Sequence, residues 1–212
     1  MWNDDEWIPP HGRSAGKGTV PLHIMKFFEL GPFTVFDVET TGMSPSRDRI
    51  VQLGAVRIDR DGYVSRFNSF VNPGRPIPPE VVCIHHITDE MVASAPNFSQ
   101  VGREFLAFAD RSTLVAHNAR FDLGFLQESL SRTGLPLWKG RTLDTLRLLK
   151  TTHPGLPSYK LQSLRAIFQL DSAEAMQAHR ADADVEWTLQ LLKIALDVAI
   201  AANERKKTEN NE

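Results

Sequence analysis

The sequence predicts an α/β fold in which a mixed sheet lies between layers of helices. Three observations favour this fold. Apolar, β-branched segments that begin at residue 33 and continue at 49–58 and 63–71 follow one another closely, as the strands of a meander do. Segments with apolar residues at helical spacing then alternate with short strand candidates. A long amphipathic segment at residues 180–203 completes an order of elements that is typical of three-layer α/β proteins.

The two ends of the chain are predicted to lie outside the folded domain. Residues 1–30 combine consecutive acidic residues with repeated proline and glycine, which interrupt regular structure. Residues 204–212 are polar and are expected to fray. We therefore expect a flexible N-terminal arm over 1–30, one folded domain over 31–203 and a polar tail over 204–212.

The first half of the domain predicts three neighbouring strands. The first begins at residue 33. The second, at residues 49–58, leads through an Asp-Gly pair at 61–62 to the third at 63–71, and this pair is a strong signal for an antiparallel hairpin. The prolines of residues 72–80 predict a stiff surface loop.

The second half predicts alternating helices and strands. Apolar spacing indicates helices at residues 98–108, 121–130 and 161–168. Residues 112–116 read as a short buried strand, and residues 142–149 as a short strand or the start of a helix. Together with the meander, these segments give five strand candidates for one mixed sheet.

Composition limits the classes of function. The chain has 24 basic and 26 acidic residues and a formal net charge of -2, so it lacks the strong positive charge of proteins that coat duplex DNA. Any contact with nucleic acid is expected to be local. The single cysteine, Cys83, excludes an internal disulfide, and no Cys/His spacing indicates zinc. With no apolar run of membrane length and no secretion signal, we expect a soluble cytoplasmic protein.

Two carboxylates follow the apolar start of the first strand candidate. Side chains on a strand alternate between faces, so Asp37 and Glu39 share one face at a separation of about 7 Å. Carboxylates this close repel each other unless a cation lies between them. A hard divalent ion such as magnesium or manganese suits oxygen ligands of this kind. The alternative is an ordinary solvated Asp-x-Glu pair.

Three short motifs fall at strand ends and helix starts, where such sheets place ligands. They are Phe-Asp-Val-Glu-Thr-Thr-Gly at 36–42, His-Asn-Ala-Arg-Phe-Asp at 117–122 and His-Arg-Ala-Asp-Ala-Asp at 179–184. In this order they resemble the DEDD-type 3′-5′ exonuclease superfamily, in its branch with a histidine in the third motif, whose best-known member is the proofreading subunit of bacterial replicative DNA polymerase. The resemblance extends over residues 33–196, and Ile-His-His-Ile-Thr at 84–88 is similar to the family's linking loop.

The resemblance implies a ribonuclease-H-like fold with four carboxylates around two magnesium or manganese ions. Asp37 would bridge both ions, Glu39 and Asp184 would complete one site, and Asp122 would serve the second. Such a pair of ions stabilises both the attacking and the leaving oxygens during phosphodiester hydrolysis. The chemistry therefore agrees with the implied set of ligands.

His179 fits the role of general base. Its ordinary pKa near 6.5 lets a neutral imidazole take a proton from the attacking water near pH 7. Asp182 competes with Asp184 for the role of ligand, but side chains two residues apart on a helix diverge by about 200°, so only one faces the ions. The spacing of the family from the histidine favours Asp184.

Other motif residues are candidates for contact with the substrate. Backbone amides in the tight turn after the first strand would hold the terminal nucleotide, and polar or aromatic residues of the second motif would contact sugar or base. One aromatic candidate, Phe121, has core packing as its alternative, and His85 is a candidate by resemblance alone. The candidates are Thr40, Thr41, Gly42, His85, His117, Asn118 and Phe121. Scattered cations at Arg47, Arg49, Lys160 and Arg165 would contact phosphates or remain solvated.

These observations favour a metal-dependent 3′-5′ exonuclease that releases nucleoside 5′-monophosphates from single-stranded or frayed DNA ends. The same motifs are compatible with RNA, because they describe metals and phosphates rather than the 2′-hydroxyl group. A second alternative is a proofreading or repair accessory that docks to a polymerase or repair protein. A third is a catalytically inactive nucleic-acid-binding module, although the retention of all five site residues opposes it.

Overall fold

The computed structural model describes residues 29–170 and 181–209. The predicted arm therefore lies outside the described residues except for its last two positions. His179 also lies outside them, as does the side chain of Asp182, the alternative ligand.

Five strands form one sheet within the described part of the chain. They are β1 (Phe33–Thr40), β2 (Ile50–Ile58), β3 (Val64–Phe70), β4 (Thr113–Ala116) and β5 (Thr142–Asp144). Their order across the sheet is β3-β2-β1-β4-β5. The β1–β2 and β2–β3 pairs are antiparallel, whereas β1–β4 and β4–β5 are parallel. The predicted mixed five-stranded sheet is thus confirmed.

Helices cover both faces of this sheet. They are α1 (Pro79–His85), α2 (Asp89–Val92), α3 (Phe98–Phe108), α4 (Arg120–Arg132), α5 (Thr145–Thr152), α6 (Leu161–Phe168) and α7 (Ala181–Glu209). The ambiguous segment at 142–149 divides into β5 and the start of α5, with Asp144 as the N-cap residue. The last helix continues beyond its predicted end at 203, because the glutamate, arginine and lysine residues that follow are strong helix formers.

The two faces of β1 pack against different helices, which produces the three layers. Phe36 and Val38 lie in a buried cluster with apolar residues of α3 and α4. Phe33 and Val35, on the opposite face, pack with Val185 and other residues of α7. Asp37 and Glu39 continue the second set, because alternate residues share a face. The side of the sheet that α7 covers is therefore where the first motif presents its carboxylates.

A glycine on β2 lets α7 lie close to the sheet. Gly54 pairs in register with Asp37, and a Cβ atom added at Gly54 would lie 2.7 Å from the carbonyl carbon of Ala181. Only a residue without a side chain permits this approach. As a result, Asp184 in the first turn of α7 comes to lie over the end of β1 that carries Asp37.

Among the helices of residues 29–170 and 181–209, none combines the length and the apolar character that a membrane crossing requires.

Candidate metal centre

Three of the predicted ligands come together between β1 and α7. Asp37 and Glu39 are half-buried on β1, and Asp184 is buried near the start of α7. One carboxylate oxygen from each lies within 4.8 Å of the others. The strand alternation and the approach of α7 at Gly54 therefore bring together residues that are far apart in the sequence.

Asp122 lies beside this group, in the first turn of α4. Strand β4 pairs with β1 only as far as Val35, so the N–H group of Val38 remains free on that edge and donates to Asp122 Oδ1 at 3.2 Å. Burial raises the pKa of Asp122 to about 8, although the hydrogen bond from Val38 lowers it; the charges of Asp144 and Asp184 raise it further. The fourth carboxylate is thus fixed against the backbone of the first motif.

Asp37 lies in an unfavourable electrostatic position. Burial raises its pKa well above the ordinary value, and the negative charges of Asp122, Glu39 and Asp184 raise it further. Ionising all four groups in this space costs free energy unless positive charge is added. A hard divalent cation supplies that charge and prefers carboxylate oxygens, so the residues present fit such an ion.

Two glutamines at the site were missed from the sequence. Gln52 is buried, pairs in register with Glu39 and donates from Nε2 to Asn68 Oδ1 at 2.9 Å. Its signal was available, because a polar residue at an inward position of an apolar strand needs a polar partner. Gln162, on α6, donates from Nε2 to Asp184 Oδ1 at 3.4 Å. Nothing in the local sequence around position 162 indicates that contact.

The turn after β1 is held by its own polar groups. Thr40 Oγ1 donates to the carbonyl of Gly42 at 2.6 Å. The amide of Thr41 donates to the carbonyl of Arg49 at 2.8 Å, and its hydroxyl oxygen accepts from the Arg49 amide at 3.0 Å. Asp48 lies against Gly42, so closely that an added Cβ atom there would be 2.6 Å from Asp48 Oδ2. The amide of Thr41 is therefore committed to the protein, and the role of this turn in nucleotide binding stays a prediction.

The polar residues at the end of β4 also contact the protein itself. His117 Nε2 lies 2.8 Å from the carbonyl of Tyr159, and its Nδ1 lies 2.9 Å from Thr145 Oγ1. Burial lowers the pKa of His117, so the ring is neutral near pH 7. Asn118 is exposed with a φ of 63°, a conformation that asparagine tolerates, and its amide donates to Asp144. His117 thus connects the end of β4 to α5 and to the loop before α6. Both ring nitrogens already have partners in the protein, so a contact with substrate would have to replace one of these hydrogen bonds.

The two remaining substrate candidates are largely occupied by packing. Phe121 is half-buried, with its ring centroid 4.9 Å from that of Phe125, so it packs against the core as the alternative interpretation predicted. His85 is buried at the end of α1, where Nδ1 accepts a hydrogen bond from the Ile87 amide at 3.0 Å. A contact of either residue with substrate stays a prediction.

Replacing Gly54 by alanine is expected to destabilise the fold by about 1 to 3 kcal/mol, because the new methyl group overlaps the backbone of Ala181. The shift of α7 would also move Asp184 away from Asp37, so the affinity for Mn²⁺ should fall more than the loss of stability alone explains. Thermal melting and a titration with Mn²⁺ measure the two effects.

Gly124→Ala provides the control, since its added Cβ atom would meet only the Cγ of Pro45 at 3.3 Å. Helix α4 gains from alanine at this position, so the change in stability should stay within about 1 kcal/mol. Equal effects of the two substitutions would contradict the close contact between Gly54 on β2 and Ala181 on α7.

Comparison with known protein families gives a match over most of the chain. The family model described as Exonuclease, RNase_T, matches residues 34–192. The DNA polymerase III subunit epsilon of Treponema pallidum is 40% identical over 161 residues, which are 75% of this chain and 74% of that protein. The 3′-5′ exonuclease DinG of Bacillus subtilis is 39% identical over 157 residues, 74% of this chain but only 16% of that much longer protein.

A solved structure has the same arrangement of elements. Exonuclease X in complex with 5′ overhanging duplex DNA superposes with a TM-score of 0.61 at 29% sequence identity. The alignment covers 78% of this chain and 91% of that one. The similarity therefore extends over most of both chains.

Proposed function

The chain belongs to the exonuclease family RNase_T, and on this premise we propose that it is a 3′-5′ exonuclease acting on single-stranded or frayed DNA ends. Membership makes it a hydrolytic nuclease with the ribonuclease-H-like fold that the three motifs predicted. One observation carries the proposal: the oxygens of Asp37, Glu39 and Asp184 lie within 4.8 Å of one another. Nucleoside 5′-monophosphates would be the products.

The relatives favour DNA over RNA and the 3′ end over the 5′ end. The solved relative holds a DNA duplex with a 5′ overhang, and the Treponema pallidum relative is named as part of a DNA polymerase. The Bacillus subtilis relative is named a 3′-5′ exonuclease. We propose a cytoplasmic location, where a DNA substrate is accessible. We assign the catalytic domain to residues 31–203, with the arm at 1–30 and the tail at 204–212 outside it.

We propose that Asp37, Glu39, Asp122 and Asp184 hold two magnesium or manganese ions. When bound, the ions would supply Lewis-acid stabilisation of charge on the attacking and leaving oxygens. Asp37 is suited to the shared position because the other three carboxylates all raise its pKa. The hydrogen bond from the Val38 amide fixes Asp122, and Gln162 donates to Asp184. These contacts hold the carboxylates in place before a substrate arrives.

We propose His179 as the general base. It stands five residues before Asp184 in the sequence, as the third motif requires. A neutral imidazole there would accept the proton of the attacking water as its oxygen approaches the phosphorus. The rate should then depend on the fraction of His179 that is neutral.

An oligonucleotide assay tests the function. A single-stranded DNA of 12 nucleotides with a 5′ label, incubated with the protein and Mg²⁺, should shorten stepwise from its 3′ end. Chromatography should identify nucleoside 5′-monophosphates as products. Release of the 5′ label as the first product would overturn the proposed direction, and equal or faster cleavage of the matched RNA would overturn the preference for DNA.

Replacing His179 by alanine is expected to lower the rate by about 10² to 10⁴, the usual contribution of general acid–base catalysis. The rate of the parent protein should rise with pH through about 6.5, whereas the variant should lose this rise. Single-turnover rates between pH 5.5 and 8 at saturating Mg²⁺ measure both effects.

His86→Asn is the matched control, because His86 is exposed and asparagine tolerates its φ of 60°. A parent profile that stays flat over this range, or a variant at position 179 with the parent's rate, would contradict the assignment of the base.

A role in proofreading is the second candidate, because the chain covers 74% of a relative named as a subunit of DNA polymerase III. We propose that the protein binds a polymerase of its own cell, with the arm at 1–30 as one possible contact. Size-exclusion chromatography with the purified polymerase, with and without residues 1–28, tests this. Separate elution of the full-length protein would overturn the association.

A further inference from the structure

Four arginines lie around the loop of residues 43–48, directly after the β1 turn. They come from three distant parts of the sequence. Two lie in or directly after this loop, one precedes α1, and one ends α4. We call them the arginine cluster. Its members are Arg47, Arg49, Arg75 and Arg132.

Two of the guanidinium groups meet at the same backbone carbonyl. Arg49 Nη1 donates to the carbonyls of Arg47 and Asp48 at 3.1 and 2.9 Å. Arg75 Nη1 donates to the carbonyl of Arg47 at 2.7 Å. The two positive groups therefore lie next to each other across a single acceptor.

The third guanidinium group reaches the same loop from α4. Arg132 donates from Nη2 to the carbonyls of Pro45 and Ser46 at 3.0 and 3.1 Å, and from Nη1 to that of Asp48 at 3.4 Å. It also pairs with Glu128 at 3.1 Å. The carbonyl of Asp48 thus accepts hydrogen bonds from two guanidinium groups. One belongs to Arg49, which directly precedes β2, and the other to Arg132 at the end of α4.

The acceptors leave part of this charge uncompensated. Backbone carbonyls carry no net charge, and the neighbouring carboxylates are those of Asp48, which accepts from the Ser44 amide at 2.9 Å, and Glu128. The three guanidinium groups that bind the loop therefore outnumber the two carboxylates, and exposed Arg47 on the loop adds a fourth positive charge, in a chain whose formal net charge is -2. The pKa of Arg49 is lowered, first by burial and then by the charges of Arg132 and Arg75. An anion would relieve this repulsion, and arginine is well suited to phosphate.

The cluster adjoins the candidate metal centre. Arg49 exchanges two hydrogen bonds with Thr41, two residues after Glu39. Helix α4 carries Asp122 in its first turn and Arg132 at its end, ten residues later, which corresponds to about 15 Å along the helix axis. That span matches about four steps of a stacked strand at 3.4 Å per nucleotide.

We propose that the arginine cluster binds the phosphates of the DNA strand that lie upstream of the 3′-terminal nucleotide. This inference rests on the proposed function, and it adds a path for the substrate that leaves the metal centre over the loop at 43–48. The guanidinium groups of Arg49, Arg75 and Arg132 fix the loop through its carbonyls and would present their remaining N–H groups to the strand. Phosphate contacts of this kind position a substrate without reading its sequence.

A binding measurement tests the cluster without cleavage. Fluorescence anisotropy monitors the binding of a 5′-labelled single strand of 12 nucleotides to the full chain, in EDTA. The double variant Arg47→Gln/Arg75→Gln changes two exposed members. We expect about tenfold weaker binding at 50 mM salt, and a salt slope smaller by about 1.4, because each phosphate contact on a single strand contributes about 0.7. Arg47→Lys/Arg75→Lys keeps the charge and should restore most of the affinity.

Arg60→Gln/Arg111→Gln is the matched control. Both residues are exposed near the start of β1, about 23 Å from the β1 turn along the strand, and the variant removes the same charge. In cleavage assays with Mg²⁺, the loss caused by the cluster variant should appear in KM and shrink as the oligonucleotide is shortened from 12 to three nucleotides.

The outcomes separate this inference from the proposed function. If the parent cleaves DNA from the 3′ end while the cluster and control variants bind equally well, the inference is overturned and the function stands. If the loss is the same at every oligonucleotide length, the arginines act only by bracing the loop, and the inference is again overturned. If the parent does not cleave DNA at all, the proposed function fails.

Discussion

Asp37→Asn is expected to lower the exonuclease rate by about a thousandfold or more, while raising the melting temperature of the metal-free protein. The carboxylate carries charge that the ions need, and a loss of about 4 kcal/mol of transition-state stabilisation corresponds to this factor. Without ions, burial first and then the charges of the neighbouring carboxylates raise the pKa of Asp37, so the folded state either bears this repulsion or holds a proton that the unfolded state has lost, and both cost stability. Asparagine has the same shape and no charge, so it removes the repulsion together with the function.

Two measurements on one preparation check this prediction, namely the initial rate on a single-stranded oligonucleotide with Mg²⁺ and thermal melting in EDTA. Asp110→Asn is the control, because Asp110 is exposed and pairs only loosely with Arg111 at 3.5 Å. A substitution at Asp37 that lowers both activity and stability would indicate a structural role for this carboxylate instead.

Chelation of divalent ions is expected to abolish activity and to leave a protein whose stability falls as the pH rises. The pKa of Asp122 is about 8 in the folded protein, far above the ordinary value of 3.8, so between these values the folded state keeps a proton that the unfolded state has lost. Stability then decreases with pH across this window and is lowest above pH 8. Bound ions favour the ionised carboxylates, so the stabilisation by Mn²⁺ should grow with pH.

Melting temperatures at pH 6.5, 7.25 and 8, in EDTA and in Mn²⁺, measure this effect. The range begins at pH 6.5 because the lowered pKa of His117 gives the opposite slope below it: the buried neutral ring loses stability as the pH falls. Asp122→Asn should flatten the slope in EDTA and reduce the gain from Mn²⁺. A melting temperature in EDTA that rises over this range, or a gap that stays constant, would contradict the assigned electrostatics.

The sheet and the pairing of Asp37 with Glu39 on one face were predictable because their signals are local. Alternation along residues 33–39 places Asp37 and Glu39 on one face, and the Asp-Gly pair at 61–62 predicts the hairpin between β2 and β3. Asp122 and Asp184 were assigned from the order of motifs within a family. Those two assignments depend on the resemblance to a family, and the role of all four carboxylates as ligands stays a prediction.

The remaining features depend on contacts between distant segments. Nothing near Gly54 in the sequence indicates that a helix begun at residue 181 will lie against it. The free amide of Val38, which fixes Asp122, exists only because β4 stops pairing at Val35. The arginine cluster likewise joins residues from three separate segments, so scattered cations in the sequence gave no sign that they converge.

Two segments differ from the elements that the sequence predicts. The segment after the proline-rich loop forms two short helices, α1 and α2. Pro79 occupies the first position of α1, where its missing N–H group costs nothing because that group has no partner within the helix. The tail beyond 203 continues α7 because its polar residues favour a helix even without a core contact. Proline and polarity predict a loop and a frayed end, but both are compatible with a helix at these positions.

A crystal structure with Mn²⁺ and a nucleoside 5′-monophosphate tests the central claim most directly, because anomalous scattering locates the ions independently of the protein atoms. We expect two Mn²⁺ ions, with Asp37 bound to both, Glu39 and Asp184 on one and Asp122 on the other, and His179 facing the phosphate. No ion among the four carboxylates, or a nucleotide bound away from them, would contradict the account.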